Sequence, residues 1–104
     1  MKFGLKEEVI KRITKVFADF AEVDEVLLYG SRSKGNFRPG SDIDLTLKGD
    51  KLELSVLNRI SLRLDDLLLP YTFDLSIYHY IKDKELLDHI ARVGTVFYKK
   101  GGER

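Results

Sequence analysis

No cysteine occurs in this 104-residue chain, so disulfides and thiolate metal sites are excluded, and the reducing cytoplasm is its natural compartment. Tryptophan and glutamine are absent as well, methionine occurs only at Met1, and asparagine only at Asn36 and Asn58. Set beside a charged fraction of 34 %, that composition has a mildly thermophilic cast. No apolar stretch approaches the roughly 20 residues of a membrane-spanning helix. Met1 to Lys11 mixes charged with apolar residues and lacks the uninterrupted core of a signal peptide. An excess of one charge is missing too. With 18 basic against 17 acidic residues there is no net field to draw the protein onto nucleic acid, so no direct nucleic-acid binding is expected and any anionic ligand must be held locally. These absences predict a soluble cytoplasmic protein, one domain over residues 1–104, large enough to bury roughly 60 to 70 % of its unfolded surface without staples.

What is present is strong periodicity. Leu5, Val9, Ile13, Val16, Phe17 and Phe20 recur at three- and four-residue steps, which predicts an amphipathic helix over Leu5–Phe20. The run Val26 to Tyr29, ending in Gly30, predicts a strand buried on both faces, after which Ser31 can cap a short helix. Pro39-Gly40 marks a turn within Asn36–Ser41. In Asp42–Leu47, the residues Ile43, Leu45 and Leu47 alternate with Asp42, Asp44 and Thr46, the pattern of a half-buried strand with its polar members wet. Leu52, Val56, Leu57, Ile60, Leu64, Leu67 and Leu68 predict a long helix over Lys51–Leu69, stopped by Pro70. Its off-stripe leucines Leu54, Leu62 and Leu69 read as core that can also feed an interface. Thr72–Tyr78 alternates again, with Asp74 on the polar side. Asp83 is placed to cap a last helix that Gly94 stops, Thr95–Tyr98 can add a short strand, and Lys99–Arg104 is expected to fray. The expected fold is α/β (α+β): a small mixed sheet with helices packed on one face and the aspartates pointing from the other.

The chemistry gathers in two pieces. Gly30-Ser31 begins a turn in which backbone N–H groups can approach an anion unobstructed by a Cβ, with a hydroxyl and a helix start beside them. Ten residues on, Asp42 and Asp44 leave the same side of a strand, roughly 6.6 Å apart along it, close enough to grip a divalent cation between them. With Asp74 they form an oxygen-donor set suited to one or two Mg²⁺ ions and a triphosphate. In a two-metal site one ion activates the attacking hydroxyl and the other steadies the leaving phosphate. Asp42 and Asp44 should bridge metal and triphosphate while Asp74 meets the acceptor hydroxyl. Arg32, Lys34 and Arg38 lie near enough in sequence to help neutralise phosphate.

Gly30-Ser31, the intervening ten residues, Asp42-Ile43-Asp44 and the later Asp74 between apolar neighbours together resemble the minimal nucleotidyltransferase (MNT) group of the DNA polymerase β-like superfamily, over nearly the whole chain. The resemblance implies a polymerase β-like nucleotidyltransferase fold and Mg²⁺-dependent transfer of a nucleoside monophosphate from an NTP, commonly ATP, to a hydroxyl. It also implies a setting: such domains are often encoded beside a HEPN-domain protein, acting as its antitoxin and in some systems adenylylating a tyrosine of that toxin. So small a chain has little surface to clamp a base or present an acceptor, so a partner or a second copy is expected to complete the site.

Rival readings stand beside this one. The chain can be a binding module that neutralises a toxin by occlusion, using its nucleotide site little, or a transferase acting on a small molecule or RNA, although such branches of the superfamily normally carry an added substrate domain. His79 and His89 have no partner at metal-ligand spacing and are assigned surface or packing roles outside the site. Tyr78 and Tyr80 either stack a base or partner, or finish a strand with their hydroxyls in water.

Overall fold

A computed structural model describes residues 1–101; Gly102 to Arg104, for which fraying is expected, lie outside the described residues. The helical periodicity of the N-terminal segment becomes α1 (Glu7–Ala18), which buries Ile13, Val16 and Phe17. The helix starts later than the spacing predicts. Leu5 is buried, but it closes a short bridge with Lys2, where Phe3 and Gly4 take positive φ.

The first strand, β1 (Glu25–Tyr29), leads through Gly30 into one turn of helix, α2 (Ser31–Lys34), and then into β2 (Ile43–Lys48). The leucine-rich segment forms α3 (Leu54–Asp65), buried through Val56, Ile60 and Leu64. It stops short of Pro70 because Leu67 and Leu68 donate to Leu64 O and Asp65 O in a closing turn, and Leu68 takes φ 56°. Leu68, in that turn, stands exposed, as do Leu54 and Leu62 on the outer face of α3. Next come β3 (Phe73–Ile77), a 3₁₀ turn over Tyr78–Tyr80, α4 (Lys84–Val93) and β4 (Thr95–Lys99). Asp83 caps α4 as predicted, accepting from the N–H groups of Glu85 at 2.9 Å and Leu86 at 3.4 Å. Lys99, expected to fray, is the last residue of β4, and Lys100 N donates to Asp24 O at 2.9 Å.

The strands form one mixed sheet in the order β3-β2-β1-β4, with β1 antiparallel to both neighbours and β2 parallel to β3. Alternation along the strands decides which side chains share a face. Val26, Leu28, Ile43, Leu45 and Leu47 are fully buried and form the core with Phe17, Ile60 and Leu64 from α1 and α3. Leu27 is only half-buried, so β1 alternates rather than being covered equally on both sides. The other face carries Tyr29, Asp44, Thr46, Asp74 and Ser76.

Candidate active site

Register brings the predicted acids together. Asp44 stands opposite Asp74 across the parallel β2–β3 ladder and opposite Tyr29 across the antiparallel β1–β2 ladder, so all three side chains leave the same face of the sheet. Asp42 lies just before β2, exposed; Asp74 is exposed and Asp44 half-buried. Burial, followed by the charges of Asp74 and Asp42, raises the Asp44 carboxyl above the usual aspartate range, against an opposing pull from His89. Asp44 thus stands within reach of two like charges on the wet side of the sheet. Among the described residues, however, no group of three Asp, Glu, His or Cys side chains is gathered tightly enough to hold a metal unaided.

The Gly30 turn abuts these acids. Gly30 takes φ 80° and ψ −155°, a conformation essentially reserved for glycine, and a Cβ built there would collide with Oδ2 of Asp44. The missing side chain is thus what lets the turn lie against the carboxylate. Gly35, also at positive φ, ends α2 by donating its N–H to Ser31 O at 3.0 Å. Ser31 is half-buried at the start of α2, whose first N–H groups have no partner within the helix. Lys34 and Arg38 are exposed.

Arg32 corrects the expectation of a phosphate ligand. It is 2 % exposed, and its donors are committed to backbone oxygens: Nε and Nη2 to Ser41 O at 3.2 and 2.9 Å, and Nη1 to Phe3 O at 2.9 Å. The guanidinium also lies over the rings of Phe37 and Tyr71, 5.2 and 5.1 Å from their centroids. It anchors the 36–41 loop that delivers Asp42, and so shapes the site from behind. Arg32→Ala is expected to cost about 2–3 kcal/mol in urea unfolding, because it strands the Phe3 and Ser41 carbonyls in a buried place. Arg32→Lys recovers little, since one ammonium cannot replace a planar fork between two carbonyls. A cost below about 0.5 kcal/mol, the scale of an ordinary surface change, contradicts this anchoring role.

Thr46 departs from expectation as well. It shares the polar face yet is fully buried, and neither its Oγ1 nor Ser76 Oγ completes a hydrogen bond. Tyr29 contributes to this cover: 8 % exposed, it faces Ser76, and burial together with the charges of Asp74 and Asp44 pushes its phenol pKa up. The 3₁₀ turn holding Tyr78 and Tyr80 follows the C-terminal end of β3, whereas Asp74 lies at the strand's start, and Tyr78 carries the Lys48 ammonium 4.5 Å from its ring centroid. That separation leaves neither tyrosine beside the acids.

His89, set outside the site by its isolation in sequence, is placed beside it. Its Nε2 accepts the Gly30 N–H at 3.3 Å, and its ring meets Tyr29 edge-on with centroids 6.1 Å apart. No local pattern signals this contact, because the two residues lie 59 positions apart in the chain.

Comparison with known proteins gives this geometry a lineage. The family described as Polymerase beta, Nucleotidyltransferase matches residues 11–103. No curated protein matches the chain in sequence. Among solved structures, a chain of a toxin–antitoxin complex crystallised with AMP-PNP is 20 % identical at a TM-score of 0.70, over 88 % of this chain and 74 % of that one. A complex of tri-AMPylated Shewanella oneidensis HEPN toxin with MNT antitoxin matches at 17 % identity and TM-score 0.67, over 92 % and 74 %. The MntA-HepT toxin–antitoxin complex matches at 16 % identity and TM-score 0.65, over 91 % and 74 %. What these proteins share with the chain is a fold.

Proposed function

The chain belongs to the polymerase β nucleotidyltransferase family, and from that premise we propose that it transfers AMP from ATP to a hydroxyl, the acceptor being a tyrosine of a HEPN toxin for which it serves as cytoplasmic antitoxin. The observation that carries this reading is the packing of Gly30 against the Asp44 carboxylate, with Asp74 in register beside it. A phosphate-receiving turn and an acidic strand pair are useful to nucleotidyl transfer only when they adjoin. The relatives support the setting: one complex holds AMP-PNP and another contains an AMPylated HEPN toxin.

In this assignment the backbone N–H groups that follow Gly30, beginning with Ser31, and the Ser31 hydroxyl take phosphate oxygens, while Gly30 gives its own N–H to His89 and supplies the open turn, with Arg38 adding positive charge from the exposed loop. Asp42, Asp44 and Asp74 are the residues that would hold Mg²⁺, as one ion or two, which when bound supplies neutralisation of the triphosphate and of the leaving pyrophosphate. Asp74, on the outermost strand and exposed, is the carboxylate best placed to orient an acceptor hydroxyl brought by a partner. No helix among the described residues is long and apolar enough to cross a membrane.

The test mixes the chain with a HEPN-domain protein encoded beside it, ATP and Mg²⁺, and reads the intact mass of that protein. Addition of AMP to a tyrosine, with loss of its ribonuclease activity, is the expected result. Full inhibition at unchanged mass, retained by an Asp42→Asn/Asp44→Asn variant, would instead establish neutralisation by occlusion.

A further inference from the structure

The segment proposed to receive phosphate is clamped from one side by a helix that bears none of the predicted site residues. Gly30 N–H donates to His89 Nε2 at 3.3 Å, and Ser33 Oγ donates to Val93 O, which lies one helical turn further along α4. Ser33 Oγ also lies 3.1 Å from Thr95 Oγ1, just beyond the end of that helix. The two ends of the turn are thus tied to one face of α4. Of the two ties, only the His89 bond engages the glycine whose backbone touches Asp44. The imidazole is half-buried and rests edge-on against Tyr29, the residue preceding that glycine.

We propose that His89 is a positioning residue for nucleotide binding: by accepting the Gly30 N–H it fixes the peptide that joins β1 to α2, so that the donors following Gly30 face the triphosphate above Asp44. The role requires a lone pair on Nε2, hence a neutral ring with its proton on Nδ1. Gly30 N–H itself is turned toward α4 and is not one of the phosphate donors. A glycine in so open a conformational region has many alternatives, and a single directional acceptor removes them.

This inference rests on the nucleotide-binding reading above, and two readouts separate its failure from the failure of that reading. His89→Phe keeps an aromatic ring against Tyr29 but removes the acceptor, whereas His89→Gln restores an acceptor oxygen at a similar reach. Calorimetric titration of the whole chain with ATP and Mg²⁺ is expected to show affinity weakened about fivefold in His89→Phe, the scale of one net hydrogen bond, and restored to within about twofold in His89→Gln. Amide hydrogen exchange at Gly30, measured without nucleotide, is expected to accelerate in His89→Phe and to stay slow in His89→Gln. Wild-type binding left unchanged by His89→Phe overturns the proposal. If wild-type protein binds no nucleotide, the nucleotide-binding reading fails, and exchange at Gly30 that is indifferent to His89 then overturns the positioning role as well.

Discussion

Asp44→Asn is expected to abolish nucleotidyl transfer, by about 10³-fold or more in kcat, while making the protein more stable. The two effects share one cause. Asp44 carries its charge half-buried and beside Asp74 and Asp42, so its carboxyl is raised above the ordinary aspartate range, chiefly by burial and then by those two charges. A raised folded-state value means that the folded chain holds the proton more tightly than the unfolded chain does. Stability is therefore greatest at acid pH and declines as pH climbs through the unfolded and then the folded value, leaving a penalty at neutrality. Discounted for the exposure of the site, that penalty is small, so Asp44→Asn should raise Tm modestly at pH 7 without divalent metal. The gain should vanish in acid, where the wild-type carboxyl is already protonated. Mg²⁺ with ATP should raise the Tm of wild type but not of Asp44→Asn. Thermal melts at two pH values check the sign. A variant destabilised at neutral pH would show that Asp44 is held by favourable partners, the opposite of a poised metal site.

Gly30→Ala should cost the protein both stability and activity. At φ 80° and ψ −155° a side chain is strained whatever space surrounds it, and here the new Cβ would strike Oδ2 of Asp44. The combined cost is about 2–4 kcal/mol, or roughly 10–20 °C in Tm for a domain of this size. Transfer should be lost even at temperatures where the variant remains folded, because the collision falls on the carboxylate that adjoins the turn. Gly35→Ala is the informative control. It shares the positive φ at 84°, but nothing lies near its missing side chain, so it should cost stability without removing activity. Urea unfolding and transfer assays on both variants make the comparison. Equal loss of activity in the two would mean that strain, and not the approach to Asp44, explains the effect.

The acids and the turn were legible because their arrangement is local or periodic. The two-residue spacing of Asp42 and Asp44, the parity of Ile43, Leu45 and Leu47, and a glycine at a strand end require nothing from distant parts of the chain. Asp74 was readable for the same reason, as the polar member of an alternating segment, and the parallel register then set it opposite Asp44. The burial of Arg32 and the contact of His89 with Gly30 escape the sequence because both arise only in three dimensions. A basic residue next to a phosphate turn looks like an anion ligand, yet the carbonyls of Phe3 and Ser41 and the rings of Phe37 and Tyr71 converge on Arg32 and bury it. A histidine alone on an amphipathic helix looks inert, and it meets Gly30 only once α4 has docked. Thr46 shows the limit of strand parity: alternation named its face correctly, but that the residue is fully buried there depends on packing from the rest of the chain. The early end of α3 depends on the turn at Leu68, which no spacing of leucines encodes.

In the proposed reaction the Gly30 turn and the carboxylates at Asp42, Asp44 and Asp74 act together on the α-phosphate of a nucleotide. Parallel incubations of the chain and its HEPN neighbour with α-labelled and γ-labelled ATP, in the presence of Mg²⁺, test it most directly. Label from the α position should appear on the protein acceptor, with label from the γ position leaving as pyrophosphate. Label transferred from the γ position alone, or from neither under any divalent metal, would rule out AMP transfer by this chain.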